Sequence, residues 1–357
     1  MDKTELFLRE LTQASGVSGY ESDIRRVLNQ YLNPLGDISV DRLGSLICRV
    51  RGTTAEPHVM IAAHMDQIGF MVKAITDRGF IAFNSLGGWS NHVIMGHKVN
   101  IETVNGVVPG TIVGPEIHAL TEEQRKKPIE RRDIFIDIGG SSRKDVEATG
   151  VRIGDPIVPA NDFTILNVPR KAYMTKAFDD RIGCAAVVAA IQSLKKDHPN
   201  TLFGVATVQE EVGVRGATTS VGAVNPDVAI ILDVSTTADV PGVDPDESGG
   251  KIGAGPALIN YDPRMIPNLK LRDLAMETAA EWKIPLQVYS MEFGGYDGSV
   301  IHTHGTGVPT IVVGIPCRYA HSYNSIIARK DYDNAVKLTV ALVKRLDKGT
   351  VASLTPI

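Results

Sequence analysis

Glu210 and Glu211 stand side by side after the apolar run Leu202-Phe203-Gly204-Val205-Ala206-Thr207-Val208, and Val212-Gly213 follow them. The run is rich in β-branched residues, as suits a strand buried on both faces of a parallel sheet. On an extended backbone neighbouring side chains point to opposite sides. The two carboxylates are therefore expected to divide their work, one toward a metal ion and the other toward a bound water or substrate. A lone Glu-Glu pair is ordinarily a solvated loop, but other strand ends here carry similar groups. Val59-Met60-Ile61-Ala62-Ala63 runs into His64-Met65-Asp66, and Val228-Ala229-Ile230-Ile231-Leu232 runs into Asp233. Thr310-Ile311-Val312-Val313-Gly314-Ile315 is followed by Pro316-Cys317-Arg318-Tyr319-Ala320-His321. Asp179 and Asp180 open an apolar helix read over 182–194. A helix dipole accounts for one acid of that pair. Asp66, two residues past His64, shares its side of an extended backbone and suits holding the imidazole in one tautomer.

In open α/β sheets, ligands bind outside the carboxyl ends of the strands. Residues scattered in sequence would converge there. Two histidines and several carboxylates suit borderline divalent ions such as zinc or cobalt, and the absence of cysteine argues against a structural zinc site. The donor count points to two ions, each with one histidine and one terminal acid, with a fifth acid bridging. Charge agrees. Asp179, Glu211, Asp233 and one hydroxide balance two divalent ions, leaving one carboxylate as general base. Such a pair generates hydroxide near neutral pH, polarises a carbonyl and clamps a tetrahedral intermediate, which is the chemistry of peptide hydrolysis.

The elements that must position these groups are legible around them. Helices are expected over 4–13 and 21–32, separated by Ser15-Gly16-Val17-Ser18-Gly19, with a hairpin over 38–51. From 68 to 167 the texture changes to short strand-like runs. Asp77-Arg78-Gly79 and Asn105-Gly106 mark hairpins, and 121–132 reads as a solvated lobe or short helix. After Asn167 the α/β texture resumes. A long Gly, Pro and Asp-rich loop covers 235–258, a helix covers 268–283, a strand 286–290, and a closing helix 331–346. The expected fold is α/β. A mixed, mostly parallel sheet flanked by helices, built from 1–67 and 168–357, carries a small β-rich domain inserted at 68–167.

With 357 residues, 43% hydrophobic and 22% charged, the chain has the composition of a soluble protein of two domains. A net charge of −4 gives no reason to expect a nucleic-acid or anionic-membrane partner. The N-terminus lacks the apolar core of a signal peptide, and no apolar run approaches the roughly 20 residues of a membrane span. A cytoplasmic protein is expected. Cys48, Cys184 and Cys317 read as buried thiols in a reducing compartment. His302-x-His304 reads as a polar loop. His118 is a weak candidate to approach the site from the insertion or from a neighbouring subunit.

Taken together, Ala63-His64-Met65-Asp66, Lys176-Ala177-Phe178-Asp179-Asp180-Arg181-Ile182-Gly183, Gln209-Glu210-Glu211-Val212-Gly213, Leu232-Asp233 and Ile315-Pro316-Cys317-Arg318-Tyr319-Ala320-His321-Ser322 resemble the M42 metallo-aminopeptidases, including the tetrahedral (TET) and glutamyl enzymes. The resemblance spans nearly the whole chain. It implies a zinc-exopeptidase-like catalytic domain with two divalent ions. His64 and Asp233 would hold one ion, Glu211 and His321 the other, with Asp179 bridging. Glu210 would be the general base and acid, and Asp66 would orient His64. It also implies a PDZ-like inserted domain used in oligomerisation, homo-oligomers from dimers to hollow dodecamers, and release of N-terminal residues from short peptides. The family commonly reads Gly-Thr-Asp-Ala where this chain has Gly295-Tyr296-Asp297-Gly298. It often has Glu after His-Ser, where Tyr323-Asn324 stand here. A co-catalytic metal amidohydrolase, such as an N-deacylase or carboxypeptidase, would use the same metal core. A binding protein with a dead site is the non-enzymatic alternative.

Overall fold

A computed structural model describes the chain except Ile117, Ala119, Pro128, 245–248, Pro356 and Ile357. The Gly114–His118 stretch, the 121–132 run and the 235–258 loop each include one or more residues outside the described set.

At the centre of an 11-stranded sheet lie Thr201–Thr207, His58–His64, Val228–Thr236 and Thr310–Arg318, in that order and mutually parallel. Their side chains are buried on both faces, so each run is almost continuously apolar. Both flanks of this path are antiparallel. Leu46–Arg51 and Asp37–Val40 form the expected hairpin on one side. Ser325–Ala328, Ala172–Thr175 and Thr164–Leu166 extend the other. The sheet is thus mixed, and parallel mainly at its centre. The outer strands have only three or four residues, too short for alternation to be read from sequence. Ala257–Tyr261 begins inside the stretch read as a loop and pairs with Thr310–Arg318.

Alternate strand residues feed two cores. Val59, Ile61, Ile230, Leu232, Ile311 and Val313 pack with the helices Lys3–Gln13, Ser22–Leu32, Phe178–Leu194 and Arg329–Arg345. Met60, Ala62, Ala229, Ile231 and Val312 face the other way, onto Arg215–Val224 and the short helix Gly298–Ile301. Each fully buried Val, Leu or Ile contributes about 1.5–3 kcal/mol of transfer free energy, so this double-sided core holds the strand ends in fixed relation. Among the described residues, Cys48, Cys184 and Cys317 are buried free thiols, and no helix is long and apolar enough to cross a membrane.

The strands between Gly69 and Pro159 form a separate closed barrel. Gly69–Ile75, Ile81–Leu86, Phe135–Asp137, Gly106–Val113, Lys98–Thr103 and Pro156–Pro159 follow one another round it. Both expected hairpins are present. Pro156–Pro159 closes the barrel, with Ile157 paired to Phe70 on one side and Ile101 on the other. Its two prolines hide it from a strand reading. The barrel has its own core, including Phe70, Val72, Ile101, Ile112 and Ile136.

Candidate metal centre

His64 is the last residue of its strand and is 2% exposed. Asp233 lies within Val228–Thr236, which runs three residues beyond it. His321 follows Thr310–Arg318 in a turn. Asp179 precedes the regular part of its helix, since Asp179 and Asp180 both have non-helical backbone angles. These elements bring the groups together. His64 Nε2 lies 3.0 Å from Asp179 Oδ1 and 3.9 Å from Asp233 Oδ2. His321 Nε2 lies 3.2 Å from Asp179 Oδ2 and 3.5 Å from Glu211 Oε2. Asp179 therefore turns one carboxylate oxygen to each histidine.

The Glu210-Glu211 pair is not on an extended backbone. The strand stops at Thr207, Gln209 takes a left-handed φ of 54°, and Gly213 and Val214 donate their N–H groups to Glu210 O. The turn, and not strand alternation, separates the two acids. Glu211 reaches His321, while Glu210 lines the cleft beside the cluster.

Both histidines present Nε2 to the acids because a main-chain carbonyl takes Nδ1. For His64 it is Asp66 O at 3.0 Å, and for His321 it is Gly88 O at 3.0 Å. An Nδ1–H donated to carbonyl oxygen leaves Nε2 free as a ligand. The Asp66 carboxylate sits farther from His64 Nδ1, at 3.5 Å. Its oxygens accept Ser18 Oγ–H at 2.6 Å and the backbone N–H groups of Glu210 and Glu211 at 2.9 and 3.2 Å. Asp66 thus touches His64 chiefly through its backbone and positions the glutamate turn through its side chain.

The electrostatics ask for cations. Burial pushes Glu211 up to about 8, and the charge of Asp179 adds to that. Burial likewise raises Glu210, Asp233 and Asp180 well above the carboxylate range. Partial burial is the largest single influence on His321 and works against its protonated form, but the hydrogen bond to Asp179, the charges of Glu211 and Asp179 and the Gly88 carbonyl together outweigh it and lift His321 to about 10. His64 is raised in the same way by Asp179, Asp233 and Asp66. Protons here occupy the place that bound cations would take. Glu211 Oε1 is buried with no hydrogen-bond partner. Ligand atoms of His64, Asp179 and Glu211 lie within 4.8 Å of one another, as do those of His64, Asp180 and Asp233. The donor set fits divalent metal.

The sequence leaves open which acid of the Asp179-Asp180 pair belongs to the helix start, and Asp180 is the one that caps it. Its Oδ1 accepts Gly183 N–H at 2.9 Å, and its Oδ2 accepts His64 N–H at 3.2 Å. With both oxygens engaged, it is a weaker ligand candidate than Asp179. Sequence reasoning gave no role to Ser18, Gly88 or Asp297. Ser18 stands out in the sequence only as part of a helix break. Asp297 is buried near Glu210, accepts a hydrogen bond from Thr207 Oγ1 at 2.5 Å, and is pushed by burial up to about 6.

The cluster floors a cleft of about 610 Å³ whose walls include Val240, Arg264, Met291, Phe293, Tyr296 and Tyr319. The 235–258 stretch contributes Thr236, Thr237 and Val240, and the segment after Met291 contributes Phe293, Gly294, Gly295 and Tyr296. Gly295 makes room for the stem of Arg264, whose Cδ would lie 3.0 Å from a Cβ there. The other sequence candidates lie apart. His302 Nδ1 bonds Gly298 O at 2.8 Å, and His118 and His304 do not line the cleft.

Comparison with known proteins agrees with the geometry. The sequence pattern of the M42 glutamyl aminopeptidase family matches residues 44–338. The TET aminopeptidase from the marine sediment archaeon Thaumarchaeota archaeon SCGC AB-539-E09 superposes with a TM-score of 0.96 at 42% identity, covering 99% of both chains. The TET1 peptidase of Pyrococcus horikoshii, which can assemble into a tetrahedron or a large octahedral shell, gives a TM-score of 0.85 at 30% identity, covering 96% of this chain and 100% of that one. The lysyl aminopeptidase of Pyrococcus furiosus is 36% identical over 347 residues, covering 95% of this chain and 96% of that protein. The resemblance read from the sequence therefore holds over most of the chain, which belongs to the M42 family of aminopeptidases.

Proposed function

We propose that this chain is a dinuclear metal aminopeptidase that releases N-terminal residues from short peptides. The observation that carries this is Asp179, with one oxygen toward His64 and the other toward His321. His64 and Asp233 would hold one divalent ion, Glu211 and His321 the other, and Asp179 both. Zinc or cobalt in these positions would acidify water and polarise the scissile carbonyl. Glu210, raised in pKa beside the ligands, takes the proton from the attacking water on its carboxylate. It then passes that proton to the departing amine. Asp66 holds the Glu210 N–H and so fixes the carboxylate's starting point. The walls exclude water from the side chain of the residue being released.

The same reading divides the chain into a catalytic unit, 1–67 with 168–357, and the 68–167 insertion, taken as the family's PDZ-like assembly domain. A homo-oligomer, from a dimer up to a dodecamer of the TET kind, follows by relationship to the PhTET1 dodecamer and to the tetrahedral and octahedral assemblies of the Pyrococcus horikoshii enzyme.

The test is Glu210→Gln. The variant should keep its metal and lose on the order of 10²–10⁴-fold in kcat, as for removal of a general base. N-blocked peptides should not be cleaved. Turnover near wild type in the metal-loaded variant would remove Glu210 from this role, and cleavage of blocked peptides would point to an amidohydrolase.

A further inference from the structure

The two histidines are held in different ways. His64 sits inside the central sheet at 2% exposure. The His321 side chain is 47% exposed, and its direct tether at Nδ1 is Gly88 O, which lies between the barrel strands Ile81–Leu86 and Lys98–Thr103. Two residues after His321 comes Tyr323, at one of the positions where the chain departs from the commoner family pattern. It is 2% exposed and belongs to the core of the barrel. The ring stacks on His97 with centroids 3.9 Å apart and planes 10° apart. Trp89, itself stacked on Phe70 at 4.9 Å, lies 5.4 Å from it. His97 is fixed in turn, because its carbonyl accepts the N–H of Ile112 at 2.9 Å. Asn161, just past the last barrel strand, donates from Nδ2 to Tyr323 O and, at 2.8 Å, to Asn324 Oδ1. The Tyr323 hydroxyl is buried without a hydrogen-bond partner, so the ring alone makes the contact.

We infer that Tyr323 is a positioning residue through which the inserted barrel holds His321 in place for the metal it shares with Glu211. The docked ring limits where the turn can carry His321, and Gly88 O selects its tautomer. Both restraints come from the barrel. One metal position is thus built without the barrel, and the other depends on it. This inference rests on the ligand assignment proposed above. It predicts two metal equivalents of unequal sensitivity to changes in the barrel.

The experiment is calorimetric titration of the metal-stripped full-length protein with zinc, and with cobalt read by its visible absorption. Tyr323→Ala should weaken one equivalent about 10–100-fold, as loss of support behind a ligand does, and leave the other unchanged. Tyr323→Phe should titrate like wild type. His97→Ala, which removes the stacking partner without touching the His321 turn, should weaken the same equivalent. It keeps the test open if Tyr323→Ala fails to fold. His321→Ala is the control for the ligand assignment. If it binds both equivalents as wild type does, that assignment falls. If it loses one equivalent while Tyr323→Ala or His97→Ala keeps both, only the positioning role falls. A loss in Tyr323→Phe equal to that in Tyr323→Ala would also overturn it, since the ring would then not be the active feature.

Discussion

The carboxylate of Asp66 accepts the backbone N–H of Glu210 at 2.9 Å. A residue two past a metal-ligand candidate on one strand thereby sets where the general-base candidate begins on the neighbouring one. Strand His58–His64 pairs in parallel with Thr201–Thr207, with His64 opposite Thr207. Asp66 bridges the gap just beyond that register.

Replacing Asp66 with Ala strands the N–H groups of Glu210 and Glu211 and the hydroxyl of Ser18, at about 1–3 kcal/mol for each buried group left unpaired. The expected result is a drop in kcat of about 10–100-fold with metal still bound. Metal content and steady-state kinetics measured on one preparation check this. A fall confined to KM would contradict it.

Metal removal should abolish peptide release, and zinc or cobalt should restore it. Removal should also change how stability depends on pH. In the metal-free protein the His321 pKa is lifted to about 10, so its contribution is complete below about 6.5 and fades as pH rises toward 10. Glu211 is lifted to about 8, so its penalty grows as pH rises from about 4.5 to 8. Both effects have the same sign. The metal-free protein should lose stability from pH 6 to 9, and the Tm gap to the loaded protein should widen over that range. A constant gap in calorimetric scans would argue against cations replacing these protons.

Arg264 is the one Lys or Arg among the described residues lining the cleft. Acidic and apolar N-terminal side chains should therefore be released in preference to basic ones. An exposed charge contact contributes up to about 1 kcal/mol, so Arg264→Glu should shift the ratio of glutamyl to lysyl substrates by about tenfold toward lysyl. Paired kcat/KM values on aminoacyl-anilides read the shift. An unchanged ratio would place the guanidinium outside the side-chain pocket.

Gly183→Ala tests the Asp180 cap. A Cβ at Gly183 would lie 2.4 Å from the Asp180 carboxylate oxygens. That carboxylate would have to leave the N–H groups of Gly183 and His64. The variant should unfold at lower denaturant and bind metal more weakly. Serine at the same site should behave alike, because the obstacle is the Cβ itself.

Much of this molecule was legible in the sequence because its signals are local. Buried parallel strands must be continuously apolar, so the runs ending near His64, Glu210 and Asp233 stood out, and the acids and histidines beside them marked the carboxyl ends where a site forms. Asp77-Arg78-Gly79 and Asn105-Gly106 gave their hairpins for the same reason. What depends on distant contacts was not legible. Pro156–Pro159 is a strand because Phe70 and Ile101 pair with Ile157, and no local pattern shows that. Glu210 and Glu211 were expected to point apart through strand alternation, yet a left-handed turn at Gln209 is what separates them. The resemblance already singled out Asp179 from the Asp179-Asp180 pair, and the structure supplies the reason, since the N–H groups of His64 and Gly183 claim Asp180. Residue type and order determined that histidines and acids suited to a metal would gather at these strand ends. Only the folded chain, in which hydrogen-bond partners are chosen across 100 or more residues, decided which atoms face it.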